Sequence, residues 1–333
     1  MKLNKLLILA VSAGVLVACN GGSGASGGGN NQPIVIDQWQ QVGQASEVKA
    51  SDSLAYDPVN NLIFRNPFNT TQVCTIIGNA ESSVPWNCIN VSVNNQPWLS
   101  FNMATDNKGA MYSFIGTESD PMLMKFNSTG VISFVPLNKG SAPTSNFDNI
   151  AFENGIVYTV QHVFVGANAG ISIFNNYLVA FDAITGQYLS STLVNTGNTI
   201  INNQYYSISK GTLYIESALI GENNAYSMAL SNLPGGPQTY YTLPSLTSPM
   251  SAVGNYLYAC SHDSSTGSYI YRQNVLNNSG WQSIGYSEIV NETGTTKVVS
   301  CFKIASNSYN NNAYVIGASL TSNSGYAVYA QPN

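Results

Sequence analysis

The chain has 333 residues, 44% of them hydrophobic and only 8% charged, with a formal net charge of −5. That apolar content is enough for a packed core and excludes a disordered chain. Its 11 Lys and Arg residues cannot form a basic stripe that neutralises phosphates, which excludes nucleic acid as a partner. An average soluble domain carries about 25% charged residues, so this surface must be built from Asn, Ser, Thr, Gln and Gly. In chain order, the first element is a charged start, Lys2 and Lys5, followed by an apolar run from Leu6 to Val17. The run is shorter than the roughly 20 residues needed to span a bilayer and suits the core of a signal peptide.

Leu16-Val17-Ala18-Cys19 ends that run and resembles the bacterial lipobox, in which cleavage before the Cys accompanies acylation of its sulfur. The resemblance implies a signal peptide over residues 1–18 and a palmitate-type lipid on Cys19, which makes a membrane the first partner. Asn20, not Asp, follows the Cys. By resemblance to lipoprotein sorting in Gram-negative bacteria, this implies the outer membrane, on its periplasmic or its surface face. Residues 19–32 are then the lipidated Cys and a Gly/Ser/Asn tether with the composition of a flexible linker. The tether contains a formal GxGxxG (Gly22 to Gly27) and a formal GxSxG (Gly24 to Gly28). Neither follows a strand or opens a helix, so neither carries the chemistry of those motifs.

Four further cysteines follow, Cys74, Cys88, Cys260 and Cys301, with no CxxC or Cys/His cluster that would suggest a metal. An oxidising compartment permits disulfides. Cys74 and Cys88 enclose a short loop that can close across one hairpin, worth about 3 kcal/mol in the loop-entropy model. Cys260 and Cys301 form the remaining pair.

Residues 33–333 read as a single all-β domain. Short runs rich in Val, Ile, Tyr, Phe and Thr alternate with Asn-Gly, Thr-Gly and Pro-containing turns, and no long stretch shows helical periodicity. A repeat lies beneath this texture: Ala55, Ala104, Ala151, Ile208, Ala252 and Cys301 occupy corresponding places, at intervals of 49, 47, 57, 44 and 49 residues. Ile208 alone breaks the small-residue rule. Multi-strand units of about 40–50 residues are the signature of β-propeller blades, and small residues suit innermost strands crowded around a central channel. The sixth unit runs out of chain after three strands, Val298 to Ile304, Ala313 to Ala318 and Tyr326 to Ala330. Trp39-Gln40-Gln41-Val42-Gly43, similar to Trp281-Gln282-Ser283-Ile284-Gly285 of the fifth unit, supplies the missing fourth. The expected architecture is therefore a propeller of six four-stranded blades whose N-terminal strand closes the last blade and removes its open edges. An insertion from Val165 to Ile173 is expected to form an extended hairpin tip.

Two segments carry a family resemblance. Leu178 to Leu189, containing Asp182-Ala183-Ile184-Thr185-Gly186, resembles the hairpin of quinoprotein-type propeller repeats, and Met103 to Tyr112 resembles the NHL type. The resemblance implies the fold and no family's activity. Asp182 to Gly186 also reads as a plain tight turn, with Asp capping the backbone and Gly accepting positive φ. The residues that quinoprotein dehydrogenases use for their cofactor have no counterpart here, so no cofactor is expected.

The two histidines offer little chemistry. His162 sits in a strand pattern and reads as a satisfied strand residue, while His262 precedes Asp263 at a turn. No Ser stands in a nucleophile elbow, so no catalytic residue is assigned. In a propeller, the loops between second and third strands gather around one channel mouth. Here they contain Glu118, Asp120, Glu222, His262 and Asp263. These residues form a candidate ligand or cation mouth, since carboxylate oxygens suit Ca²⁺; they also read as separate, solvated turn residues. The 20 Tyr and the Trp residues at 39, 86, 98 and 281 read as strand fillers, a subset of which can stack on sugars. The sequence thus leads to a membrane-anchored envelope lipoprotein acting as a non-enzymatic scaffold for a protein partner. A carbohydrate-binding or carbohydrate-active protein with an acid-lined mouth is the alternative. Clustered carboxylates favour the alternative, and dispersed ones with an exposed apolar patch favour the scaffold.

Overall fold

A computed structural model describes residues 39–331, apart from 50, 69, 92–101, 118, 141–146, 148, 198–205, 217–223, 233–238, 243–246, 264–266, 278–279, 285–298, 308–311 and 320–325. The signal-peptide and tether segments, residues 1–32, therefore lie outside the described residues.

Strands form over the Val-, Ile-, Tyr- and Phe-rich runs, some of them, such as Ser53–Asp57 and Ala110–Gly116, buried along their whole length, and they assemble into six antiparallel four-stranded sheets. Blade 1 contains β2 (Ser53–Asp57), β3 (Leu62–Asn66), β4 (Gln72–Ile77) and β5 (Asn87–Asn90). Blade 2 contains β6 (Ala104–Thr105), β7 (Ala110–Gly116), β8 (Pro121–Asn127) and β9 (Ile132–Pro136). Blade 3 contains β10 (Ala151–Glu153), β11 (Ile156–Asn168), β12 (Ile171–Asp182) and β13 (Tyr188–Gly197). Blade 4 contains β14 (Tyr206–Ser209), β15 (Thr212–Glu216), β16 (Asn224–Ala229) and β17 (Thr239–Thr242). Blade 5 contains β18 (Thr247–Val253), β19 (Tyr256–Asp263), β20 (Gly267–Asn274) and β21 (Gln282–Ser283). Blade 6 contains β22 (Val299–Asn307), β23 (Asn312–Ser319), β24 (Tyr326–Ala330) and, from the other end of the chain, β1 (Gln40–Val42).

The expected ring closure is present. β1 pairs antiparallel with β24, placing Gln41 opposite Tyr329 and Val42 opposite Val328. Six apolar clusters then sit one between each pair of neighbouring blades. Phe64 and Val73 of blade 1 meet Met111 and Met124 of blade 2, and Tyr258 and Ile270 of blade 5 meet Ile304 and Val315 of blade 6. Tyr314 and Val328 of blade 6 pack with Tyr56 and Ile63 of blade 1, which completes the circle. The core of this six-bladed β-propeller is therefore a set of blade interfaces around an axis. Burying each of these large side chains contributes roughly 1.5–3 kcal/mol.

Strand registers correct the phase of the repeat. Six small residues of the innermost strands face six aromatic residues of the second strands: Ala55 opposite Phe64, Ala104 opposite Tyr112, and Ala151 opposite Tyr158. Ser207 faces Tyr214, Ser251 faces Tyr258, and Ala305 faces Tyr314. The equivalent positions in blades 4 and 5 are therefore Ser207 and Ser251, one residue before Ile208 and Ala252. In blade 6 the equivalent is Ala305, because the nine-residue β22 extends beyond Cys301 and it is Ala305 that faces Tyr314. With this phase the small-residue rule holds in every blade, and Ile208 is no exception.

The insertion in blade 3 is an extended hairpin, as its sequence implied. β11 and β12 pair from Ile156 opposite Asp182 to Asn168 opposite Ile171, with a register shift between Phe164 and Gly166. Ala169 and Gly170 turn the chain at φ 49° and 82°, the two successive positive values of a type I′ hairpin.

Candidate functional site

Each innermost strand is paired on one side only, so six sheet edges face the axis. Small residues keep these edges from colliding and leave an axial cavity of about 470 Å³. All six blades line it, from Ser53, Asn102 and Asn149 near the starts of the inner strands to the turns that lead into the second strands. Among the described residues no backbone–backbone hydrogen bond joins one innermost strand to the next. Side chains bridge the gaps instead: Thr105 Oγ1 donates to Tyr56 O at 2.8 Å, and Ser207 Oγ accepts from Ala252 N at 2.9 Å.

The charged groups in this lining are Asp106, Lys108, Glu153 and Lys210, none of which the sequence singled out. Both carboxylates are engaged with backbone. Asp106 Oδ1 accepts from Lys108 N at 2.8 Å and Ala110 N at 3.0 Å, closing its own turn. Glu153 crosses to blade 4, where its two oxygens accept from Gly211 N at 2.9 and 2.8 Å. Lys210 reaches blade 5 and donates to Asn255 Oδ1 at 2.9 Å. Glu153 and Lys210 thus act as latches between neighbouring blades. The common signal of the four charged residues was positional, since all lie at the turn between first and second strands.

Among the residues expected at the acidic mouth, Glu118 and Glu222 lie outside the described residues. Asp120 is exposed in the β7–β8 turn, where its N–H bonds Thr117 O at 3.0 Å. His262 and Asp263 end β19, opposite Ser268 and Gly267. Asp120 and Asp263 thus belong to blades 2 and 5, which stand on opposite sides of a six-membered ring. Among the described residues, no three His, Cys, Asp or Glu side chains come close enough together to hold a metal ion.

His162 is buried, with Nδ1 donating to Asn176 Oδ1 at 2.6 Å, the satisfied strand histidine that its pattern implied. The Asp182 turn is the plain capped turn. Asp182 Oδ1 accepts from Ile184 N, Thr185 N and Thr185 Oγ1 at 2.9, 2.7 and 2.9 Å. These bonds from Thr185 and then Ile184 hold its carboxyl below the ordinary range. The turn also docks on blade 2, with Asn138 N donating to Gly186 O at 2.9 Å and Tyr188 N to Asn138 O at 3.1 Å.

A buried ion pair braces blade 1. Arg65, 1% exposed, bonds Asp52, 0% exposed, at 2.7 Å, and its guanidinium lies 4.8 Å from the ring of Trp86. Asp52 also accepts from Phe68 N at 2.9 Å and Lys49 N at 3.0 Å. On the outer strands, Cys74 and Cys88 face each other across β4 and β5 and form the expected disulfide. Cys260 is disulfide-bonded as well; the side chain of Cys301 is outside the described set.

No family model and no curated protein matches the sequence. Solved structures do match in shape. A luciferin-regenerating enzyme aligns with a TM-score of 0.53 at 10% identity, covering 88% of this chain and 94% of its own. A structural-genomics protein of unknown function from Bacteroides thetaiotaomicron aligns at 0.50 and 11% identity, covering 87% and 74%. A streptogramin B lyase aligns at 0.50 and 10% identity, covering 89% and 97%. At such identities the likeness concerns the fold alone: the chain is a six-bladed β-propeller, the class that its sheets and interblade clusters define.

Proposed function

We propose that the chain is an envelope lipoprotein, anchored through Cys19 to the outer membrane, whose propeller is a non-enzymatic scaffold holding a protein partner. The observation that supports this reading is the overhang of blade 3. Phe164 and Val165 are 58% and 50% exposed near its tip, and Phe164 meets Phe174 edge-on with ring centroids 5.8 Å apart. No Asp, Glu, Lys or Arg occurs between Glu153 and Asp182, so the overhang presents an uncharged, partly aromatic surface of the kind that marks protein interfaces. The engaged carboxylates at the axis and the separation of Asp120 from Asp263 favour binding over acid–base chemistry. Lipid on Cys19, the outer membrane and the partner all rest on this proposal.

The test is retention of envelope proteins from the source organism by the tagged full chain, with a Phe164→Ser/Val165→Ser variant beside it. A stoichiometric protein held by the parent and lost from the variant is the expected result. An empty eluate under mild crosslinking, or equal retention by the variant, overturns the proposal. Mass spectrometry of the N-terminal peptide gives a separate reading of the anchor: Cys19 carries the mass of a lipid or it does not.

A further inference from the structure

We infer that the axial cavity is a binding site for a small, uncharged, hydroxylated molecule of the saccharide or polyol class, in addition to the partner surface on blade 3. Its size, about 470 Å³, lies within the range of small-molecule sites, about 300–1,000 Å³. Its wall carries the hydroxyls and amides of Ser53, Asn102, Thr105, Asn149, Ser207 and Ser251, among small and apolar residues. Such groups both donate and accept, as the hydroxyls of a polyol do. The inner sheet edges add backbone N–H and C=O groups that, among the described residues, no neighbouring strand takes up.

Charge selects against an ionic guest. The two carboxylates and two lysines of the lining balance, Glu153 and Asp106 are taken by backbone N–H groups, and Lys210 is held by Asn255. The lining therefore carries no net charge to attract an anion or a cation, its one lysine without a bonded partner, Lys108, being exposed to solvent, and burying a further charge there would be costly.

A second observation marks the wall itself as incomplete. Ser53 is 2% exposed, and its Oγ has no hydrogen-bond partner within the protein. Behind it, its register partner Asn66 is 0% exposed with both Oδ1 and Nδ2 unpartnered. Buried polar atoms without partners are rare and costly. A hydroxylated guest that bonds Ser53 removes one such cost. This places the site on the axis, in the inner strands, and not at the β7–β8 turn of Asp120 or the end of β19 that carries Asp263.

The experiment is saturation-transfer difference NMR on the purified full chain with maltose, lactose and N-acetylglucosamine. Galacturonate and glucosamine serve as charged counterparts. Ser209→Phe narrows the cavity from a turn-end position, and Ser53→Ala removes the unpartnered hydroxyl. The expected result is saturable binding of at least one neutral saccharide, weakened tenfold or more by Ser209→Phe and measurably by Ser53→Ala. Circular dichroism and thermal melting confirm that both variants keep the fold. The inference is overturned by no neutral saccharide binding at concentrations well above about 1 mM, by equal binding to folded variants, or by preference for a charged sugar. The blade 3 variant is expected to bind the saccharide normally, which separates this site from the partner surface.

Discussion

The indole Nε1 of Trp39 donates to the carbonyl oxygen of Ile284 at 3.0 Å, tying the residue that precedes β1 to the residue that follows β21. The bond joins the outermost strands of blades 6 and 5, while the ring of Trp39, 7% exposed, packs in the cluster between those blades. Trp39→Phe keeps most of the packing and is expected to cost about 1 kcal/mol for the lost hydrogen bond. Trp39→Ala is expected to cost about 3–5 kcal/mol. Urea unfolding of the two variants measures the difference, and equal losses would contradict a packing role.

Gly186 is a second sensitive point. Its φ is +69°, and a Cβ there would lie 2.2 Å from the carbonyl oxygen of Pro136 on blade 2. Gly186→Ala therefore combines backbone strain with a clash against an unyielding main chain, for an expected loss of roughly 1–3 kcal/mol or more. Gly130→Ala is the control, since its φ is +84° but a Cβ there would meet nothing within 4 Å. The control should be the milder of the two in the same unfolding experiment.

The Arg65–Asp52 pair predicts an asymmetric response. Asp52→Ala leaves the buried guanidinium with only the half-exposed Glu47 carboxylate, 3.6 Å away, at an expected cost of about 3–5 kcal/mol. The Asp52→Leu/Arg65→Met double variant removes both charges and is expected to recover a substantial part of that loss. A double-mutant cycle by chemical denaturation reads the coupling directly.

Disulfides can be read by peptide mapping without reduction. The expected products join Cys74 to Cys88 and Cys260 to Cys301, the second pairing being the proposal that remains from the sequence. Replacing both Cys74 and Cys88 by Ser is expected to lower stability by about 2–4 kcal/mol, since the bridge constrains the unfolded chain. A cross-paired peptide, such as Cys88 joined to Cys301, would refute the connectivity.

Alkaline pH should loosen the fold. Burial pushes the hydroxyls of Tyr112, Tyr158, Tyr258 and Tyr329 above the ordinary value of 10.0, with Lys125 and Arg272 pulling Tyr112 and Tyr258 part of the way back. The folded state then holds protons that the unfolded state releases above pH 10. The contribution is fully present below that pH and is lost as pH rises through the folded values. Ultraviolet titration should show tyrosines ionising late, together with unfolding. Ionisation of all 20 at the ordinary value, with the fold intact, would contradict this burial.

Much of the architecture was legible because propeller units repeat local chemistry. The closing strand was visible in the kinship of Trp39–Gly43 with Trp281–Gly285, and the overhang in Gly166 and Gly170 within an apolar run. The phase in blades 4 to 6 was not visible, because inner strands offer small residues at adjacent positions and a one-residue slip reverses every side chain. Cys301 imitates the small residue of the other units, yet β22 runs on past it and the residue facing the second-strand aromatic is Ala305. The axial latches escaped because Glu153 and Lys210 find their partners in other blades, at Gly211 and Asn255, which only the closed ring brings near. Asp52, just before β2, and Arg65, opposite Leu54 in β3, likewise sit in unremarkable sequence context, and only the folding of β3 back on β2 brings them together.

The pairing of β1 with β24 also constrains when the domain can form. Gln41 and Tyr329 stand at opposite ends of the described chain, so their contact closes a loop of nearly the whole domain. Contacts of such high sequence separation form slowly and late. Blades 1 to 5 each draw on a continuous stretch of chain and can assemble as the polypeptide emerges, whereas the last seam waits for Ala330. Until then blades 1 and 6 expose the two faces that will meet, and the ring is an open arc. Arrival of β24 is thus the event that shuts the circle.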